Sequence, residues 1–162
     1  MREETRTRGR AVPARWPASV LARLIAGLRA LTERNKAVTN ILMIALGASV
    51  GANLRYALSN WAAQQWGTTF PYGTMIINIL GSCCIGLILG LATTRIALSV
   101  PWRLLLVTGL LGGFTTFSTF SYETYSLLVE GSWLEAGLNI LGSVGIALIG
   151  VFVGAGVARI IP

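Results

Sequence analysis

Nine consecutive residues, Gly112-Gly113-Phe114-Thr115-Thr116-Phe117-Ser118-Thr119-Phe120, set two glycines, four hydroxyl side chains and three phenylalanines into an otherwise apolar stretch. Lipid tolerates an interrupted helix only where protein or a water-filled path satisfies the freed backbone. The interruption is expected at Gly112-Gly113, where released carbonyls can coordinate a cation such as Na⁺. Phe117 and Phe120, three apart, project from nearly one helical face. A phenyl ring has a positive edge and a negative face. Ring edges, with the hydroxyls of Ser118 and Thr119, therefore suit a small dehydrated anion. A buried Lys or Arg would hold such an ion tightly, whereas conduction requires binding weak enough to leave. Taken by spacing alone, phenylalanines in this pattern read first as plain core packing.

Other polar residues at membrane depth each need an account. Asn78 lies within Gly73-Thr74-Met75-Ile76-Ile77-Asn78-Ile79-Leu80-Gly81. Its amide, with two donors and an acceptor, serves either to fasten two helices or to present a donor to an ion. Arg55, just after Asn53, either reaches the headgroups or draws anions into a vestibule. Glu123, one turn after Phe120 and beside Tyr122, either closes one end of a path or accepts a hydrogen bond from a tyrosine. Asn139 and Ser143 are four apart and stack on one helical face, although a serine in a membrane helix often bonds its own backbone.

Four apolar segments carry these residues, at about Asn40–Ala62, Tyr72–Thr94, Trp102–Val129 and Leu134–Ile161. Each is long enough for a hydrocarbon core of about 30 Å. Trp61, Trp66, Tyr72, Trp102 and Trp133 fall near segment ends, as an aromatic belt requires. Glycines four apart in Gly47-Ala48-Ser49-Val50-Gly51, Gly86-Leu87-Ile88-Leu89-Gly90 and Gly150-Val151-Phe152-Val153-Gly154 let helix backbones approach closely. They do not distinguish packing within one chain from oligomerisation. The composition agrees: 54% of the 162 residues are hydrophobic and only 12% charged, about half the charge of a soluble domain. There is no histidine and no metal-ligand spacing, and Cys83 and Cys84 are adjacent, which rarely permits disulfide geometry. With no nucleophile–base pair either, the sequence reads as a non-enzyme.

Nine of the 13 Lys and Arg precede Thr39. Ahead of a membrane domain such an arm meets anionic lipid or sets orientation, rather than binding nucleic acid. Residues 1–17, rich in Arg and Pro, are expected to be disordered. In residues 18–36, Val20, Leu21, Leu24, Ile25, Leu28 and Leu31 share one helical face, the pattern of an interfacial amphipathic helix. The same pattern fits a leader with no role. The chain thus divides into a basic extension, 1–37, and a four-helix domain, 38–162.

At this point the residues resemble a family. Gly47 through Tyr56, Gly73-Thr74 through Asn78 and Gly81, and Gly109 through Ser121 with Glu123 are similar to the Fluc/CrcB fluoride channels, over roughly residues 40–160. The resemblance implies an all-α membrane protein of four transmembrane helices with the third broken, assembled as an antiparallel, dual-topology homodimer in a bacterial inner membrane. It implies passive, selective fluoride export through pathways walled by Phe117 and Phe120, with Asn78, Ser118, Thr119 and Ser143 as polar donors and Arg55 at the approach. It also implies a structural Na⁺ at the dimer centre, on the backbone carbonyls of Gly112 and Thr115 from each subunit.

Three positions depart from that pattern. Asn139 stands where some members have Tyr, and Ala147 lacks a hydroxyl found in some relatives. The basic arm is the third. Its nine cations share a side with Arg95, Arg103 and Arg159, against Arg55 on the other, and such bias drives a single orientation. The arm is therefore expected to be dispensable or absent, or not to control insertion. A small multidrug-type exporter of four helices is the nearest rival. It would require a carboxylate in the first segment, whose centre has none.

Overall fold

A computed structural model describes residues 17–161. These fold into helices with no strand among them: α1, Ala18–Trp66; α2, Tyr72–Thr94; α3, residues 100–114; α4, Phe117–Val129; and α5, Trp133–Ile160. With α3 and α4 taken together as Val100–Val129, four stretches are long and apolar enough to cross a membrane. The chain is a multi-pass membrane protein. By its contacts it divides into two units, Met1–Ala37 and Val38–Pro162, and the division falls inside α1.

In the first unit the described residues are helical from Ala18, and Lys36 pairs with Glu33 at 2.9 Å on the exposed surface. An ion pair so placed contributes only a few tenths of a kcal/mol. The expected helix over 18–36 is present as the first part of α1 rather than as a separate element. The sequence from Arg34 to Asn40 contains neither Pro nor Gly to end it. The expectation of disorder for residues 1–17 lies, Pro17 apart, outside the described residues.

In the second unit, short connections join successive spans, which makes neighbouring spans antiparallel. Gly67 and Gly131, with φ of 78° and 80°, take the left-handed conformation that ends α1 and α4. After α4 the amide of Gly131 reaches the Leu128 carbonyl and that of Ser132 the Leu127 carbonyl, at 3.1 and 2.8 Å. Two glycine seams then set the packing. Along one, α2 lies on the second half of α5, with Gly86 against the Val151 backbone and Gly154 against the Cys83 carbonyl. Along the other, α1 lies on α3. A Cβ on Gly109 would stand 2.7 Å from the Ile44 carbonyl oxygen, and one on Gly113 would stand 2.7 Å from that of Ala48. The small-residue spacing thus acts within a single chain.

The break does not fall at Gly112-Gly113. Both glycines are helical, Gly112 at φ −65° and ψ −34°, and the chain becomes extended at Thr115 and Thr116. Gly113 is needed for close approach to α1, while the β-branched threonines adopt extended backbone readily. Two stretches also wind as π-helix, Leu104–Leu111 just before the break and Leu141–Ile146 in α5. Such segments are rare and gather at functional sites.

Candidate functional site

Extending the chain at Thr116 (φ −151°, ψ 120°) removes its N–H and C=O from any helical ladder. In a membrane those groups need partners from the protein. Asn78 of α2 supplies both. Its Oδ1 accepts from the Thr116 amide at 3.0 Å, and its Nδ2 donates to the Thr116 carbonyl at 3.2 Å. The restart is capped locally, because the Thr116 hydroxyl oxygen accepts from the Thr119 amide. The Thr116 hydroxyl itself donates to Thr119 Oγ1 at 2.9 Å. Asn78 therefore fastens α2 to the break, and one N–H of its amide remains available.

Beside the break lies a cavity of about 280 Å³, lined among others by Asn78, Gly112, Thr115, Phe117, Phe120 and Ser143. No lining residue carries a formal charge. The Phe117 and Phe120 rings meet with centroids 5.3 Å apart. Their environments differ sharply, since Phe120 is 6% exposed and Phe117 74%. At the start of α4 the two rings thus share one cavity wall but differ in burial.

Behind Phe120 runs a buried polar chain. Ser143 Oγ donates to Asn139 Oδ1 at 3.2 Å, and Asn139 Nδ2 donates to Thr124 Oγ1 at 2.9 Å. Thr124 in turn donates to the Phe120 carbonyl at 2.8 Å. Asn139 is 0% exposed, so it reaches the cavity only through Ser143. Glu123 accepts from the Thr74 hydroxyl at 2.8 Å, rather than from a tyrosine. It borders a separate recess of about 580 Å³, together with Tyr72, Tyr122 and Glu130.

Six of the residues singled out in the sequence are thus gathered around one cavity. Ser118, Thr119 and Arg55 are not among those lining it within a single copy. Three hydroxyls escaped the sequence reading as partners: Thr74, Thr116 and Thr124. Thr116 carried a signal as an N-cap three residues before Thr119, and Thr124 as a hydroxyl one turn after Phe120. Thr74 carried none, because its partner lies 49 residues away.

An uncharged polar cavity at a break between two half-helices, within a bundle of four spans, defines a membrane protein built to handle a small solute in the bilayer. The chain belongs to the CrcB-like family: the family model described as "CrcB-like protein, Camphor Resistance (CrcB)" matches residues 42–155. It is 63% identical over 123 residues to the "Fluoride-specific ion channel FluC" of Roseiflexus sp. (strain RS-1), covering 76% of this chain and 99% of the relative. A protein of the same name from Chloroflexus aurantiacus (strain ATCC 29366 / DSM 635 / J-10-fl) is 61% identical over 122 residues, 75% of this chain and 97% of its own. One from Clostridium perfringens (strain 13 / Type A) is 45% identical over 120 residues, 74% and 94% respectively.

Proposed function

We propose that the chain is a subunit of a fluoride-selective channel, through which fluoride leaves the cytoplasm passively and its toxicity is limited. The observation that carries this reading is identity of 45–63% to three fluoride-specific channels, aligned over 94–99% of their own lengths. The site geometry supports it. A dehydrated anion needs donors to replace water but no strong trap. The cavity is lined by the rings of Phe117 and Phe120 and by the side chains of Asn78 and Ser143, with no charged residue on its wall. In this reading two copies assemble antiparallel. Phe117, exposed in one copy, then walls a pathway completed between copies, with Ser118 and Thr119 as further donors. Arg55 draws anions toward its approach.

A structural Na⁺ at the dimer centre belongs to the same reading, and the backbone at the break fits it. The Thr116 amide, which a continuous helix would direct to the Gly112 carbonyl, is taken by Asn78. The Thr119 amide, which would serve the Thr115 carbonyl, is taken by Thr116 Oγ1. Gly112 and Thr115 are thus left with carbonyl oxygens suited to a hard cation. When bound, the ion supplies fixed positive charge at the junction of the half-helices.

The test is anion efflux from liposomes holding the purified protein. Fluoride is expected to leave rapidly and chloride to be retained, and chloride flux equal to fluoride flux would sink the reading. Phe117→Ile and Phe120→Ile are each expected to cut fluoride flux at least tenfold, roughly 1.4 kcal/mol of barrier. Normal flux in both variants would remove the role assigned to the ring edges.

A further inference from the structure

We infer that Asn139 is a positioning residue that competes with the permeant anion for the Ser143 proton, and so keeps binding at this point of the cavity weak. The inference rests on the fluoride-channel reading above and names the device that tunes it.

The buried chain is fixed at its Phe120 end. The Phe120 carbonyl can only accept, so the Thr124 hydroxyl 2.8 Å away must donate to it. With its proton committed, Thr124 Oγ1 accepts from the group at 2.9 Å, which must be the NH₂ side of the Asn139 amide. That orientation turns Oδ1 toward Ser143. Oδ1 cannot donate, so the Ser143 proton points at Asn139 and away from the cavity. Ser143, at the cavity wall, therefore shows lone pairs to an approaching anion. To bind the anion, the hydroxyl must rotate away from Asn139.

That rotation strips Oδ1 of its partner, and Asn139 is 0% exposed, so water cannot take the vacated place. A buried acceptor left unpaired opposes the change by an amount comparable to the hydrogen bond gained. Bonds in a chain of one sense also strengthen one another, which deepens the resting arrangement. The two sides nearly balance, and a near balance is what release of the ion requires.

The experiment is the initial rate of fluoride flux against fluoride concentration in liposomes. It compares the full-length wild type, Asn139→Leu, Thr124→Val, Ser143→Ala, and each of the first two variants combined with Ser143→Ala. Asn139→Leu removes the competing acceptor and is expected to lower the half-saturating concentration about tenfold, with a maximal rate no higher than wild type. Thr124→Val leaves the amide free to turn its NH₂ toward Ser143, which releases the same proton. It is expected to shift half-saturation in the same direction with Asn139 intact. In the Ser143→Ala background both shifts should vanish. A merely structural role would lower the maximal rate without tightening half-saturation. Half-saturation unchanged or raised in both single variants, or shifts that persist without Ser143, would overturn the inference. A wild-type protein that passes no fluoride would instead overturn the channel reading on which it rests.

Discussion

Asn78 carries more of the local structure than any other polar side chain at the break. One amide satisfies both backbone groups of Thr116, which is itself only 8% exposed. Replacing it with Leu, of similar length, would leave a buried N–H and a buried C=O unpaired, at about 1–3 kcal/mol each. Asn78→Leu is therefore expected to lower the thermal unfolding midpoint in detergent as well as abolish fluoride flux. Lost flux at an unchanged midpoint would assign Asn78 to the ion alone. The sequence marked Asn78 as a polar group needing an account, but its partner was not legible. A backbone acceptor 38 residues away leaves no side-chain signature. The buried chain through Asn139 was hidden for a related reason. Asn139 and Ser143 could be paired by their spacing, whereas Thr124 lies on another helix.

Helix seams separate two adjacent glycines that look alike in sequence. Gly113 lies against the Ala48 backbone, while a Cβ on Gly112 would find nothing nearer than the Val107 carbonyl oxygen at 3.8 Å. Backbone cannot retreat as a flexible side chain can. Gly113→Ala is thus expected to destabilise the folded subunit by about 1–3 kcal/mol, and Gly112→Ala to leave its unfolding midpoint nearly unchanged. Equal effects in a denaturation series would refute this account of the α1–α3 seam. The same seam explains why the break sits three residues beyond its expected place. Gly113 is held against α1, Phe114 is the last helical residue beyond it, and the extended threonines follow. The π-helical stretches at Leu104–Leu111 and Leu141–Ile146 were not legible in the sequence.

The chain as a whole joins a four-span domain to a basic extension that lies outside the family match, which begins at residue 42. About three quarters of this chain accounts for nearly all of its relatives' lengths. Deleting residues 2–37 is accordingly expected to leave fluoride flux per mole of folded protein within about twofold of wild type, a difference of less than 0.5 kcal/mol. It also removes most of the charge bias that favours one orientation. Protease or thiol accessibility of the two membrane faces, with and without the extension, checks the second effect. Loss of flux on deletion would make the arm part of the channel. The helical spacing of the arm was legible in its sequence, and residues 18–37 are helical.

The sequence by itself determined the number of spans, their approximate ends, the all-helical class and the stretch in which polar chemistry is concentrated. These depend on hydropathy and local backbone preference, which each segment carries alone. Only the tertiary structure decided that Thr116 is the point of extension, that Asn78 closes it, and that Phe120 is buried while Phe117 is exposed. It also decided that Asn139 directs the Ser143 proton. Each of these depends on a donor or a packing surface brought from another helix, and in lipid such partners come from the protein itself.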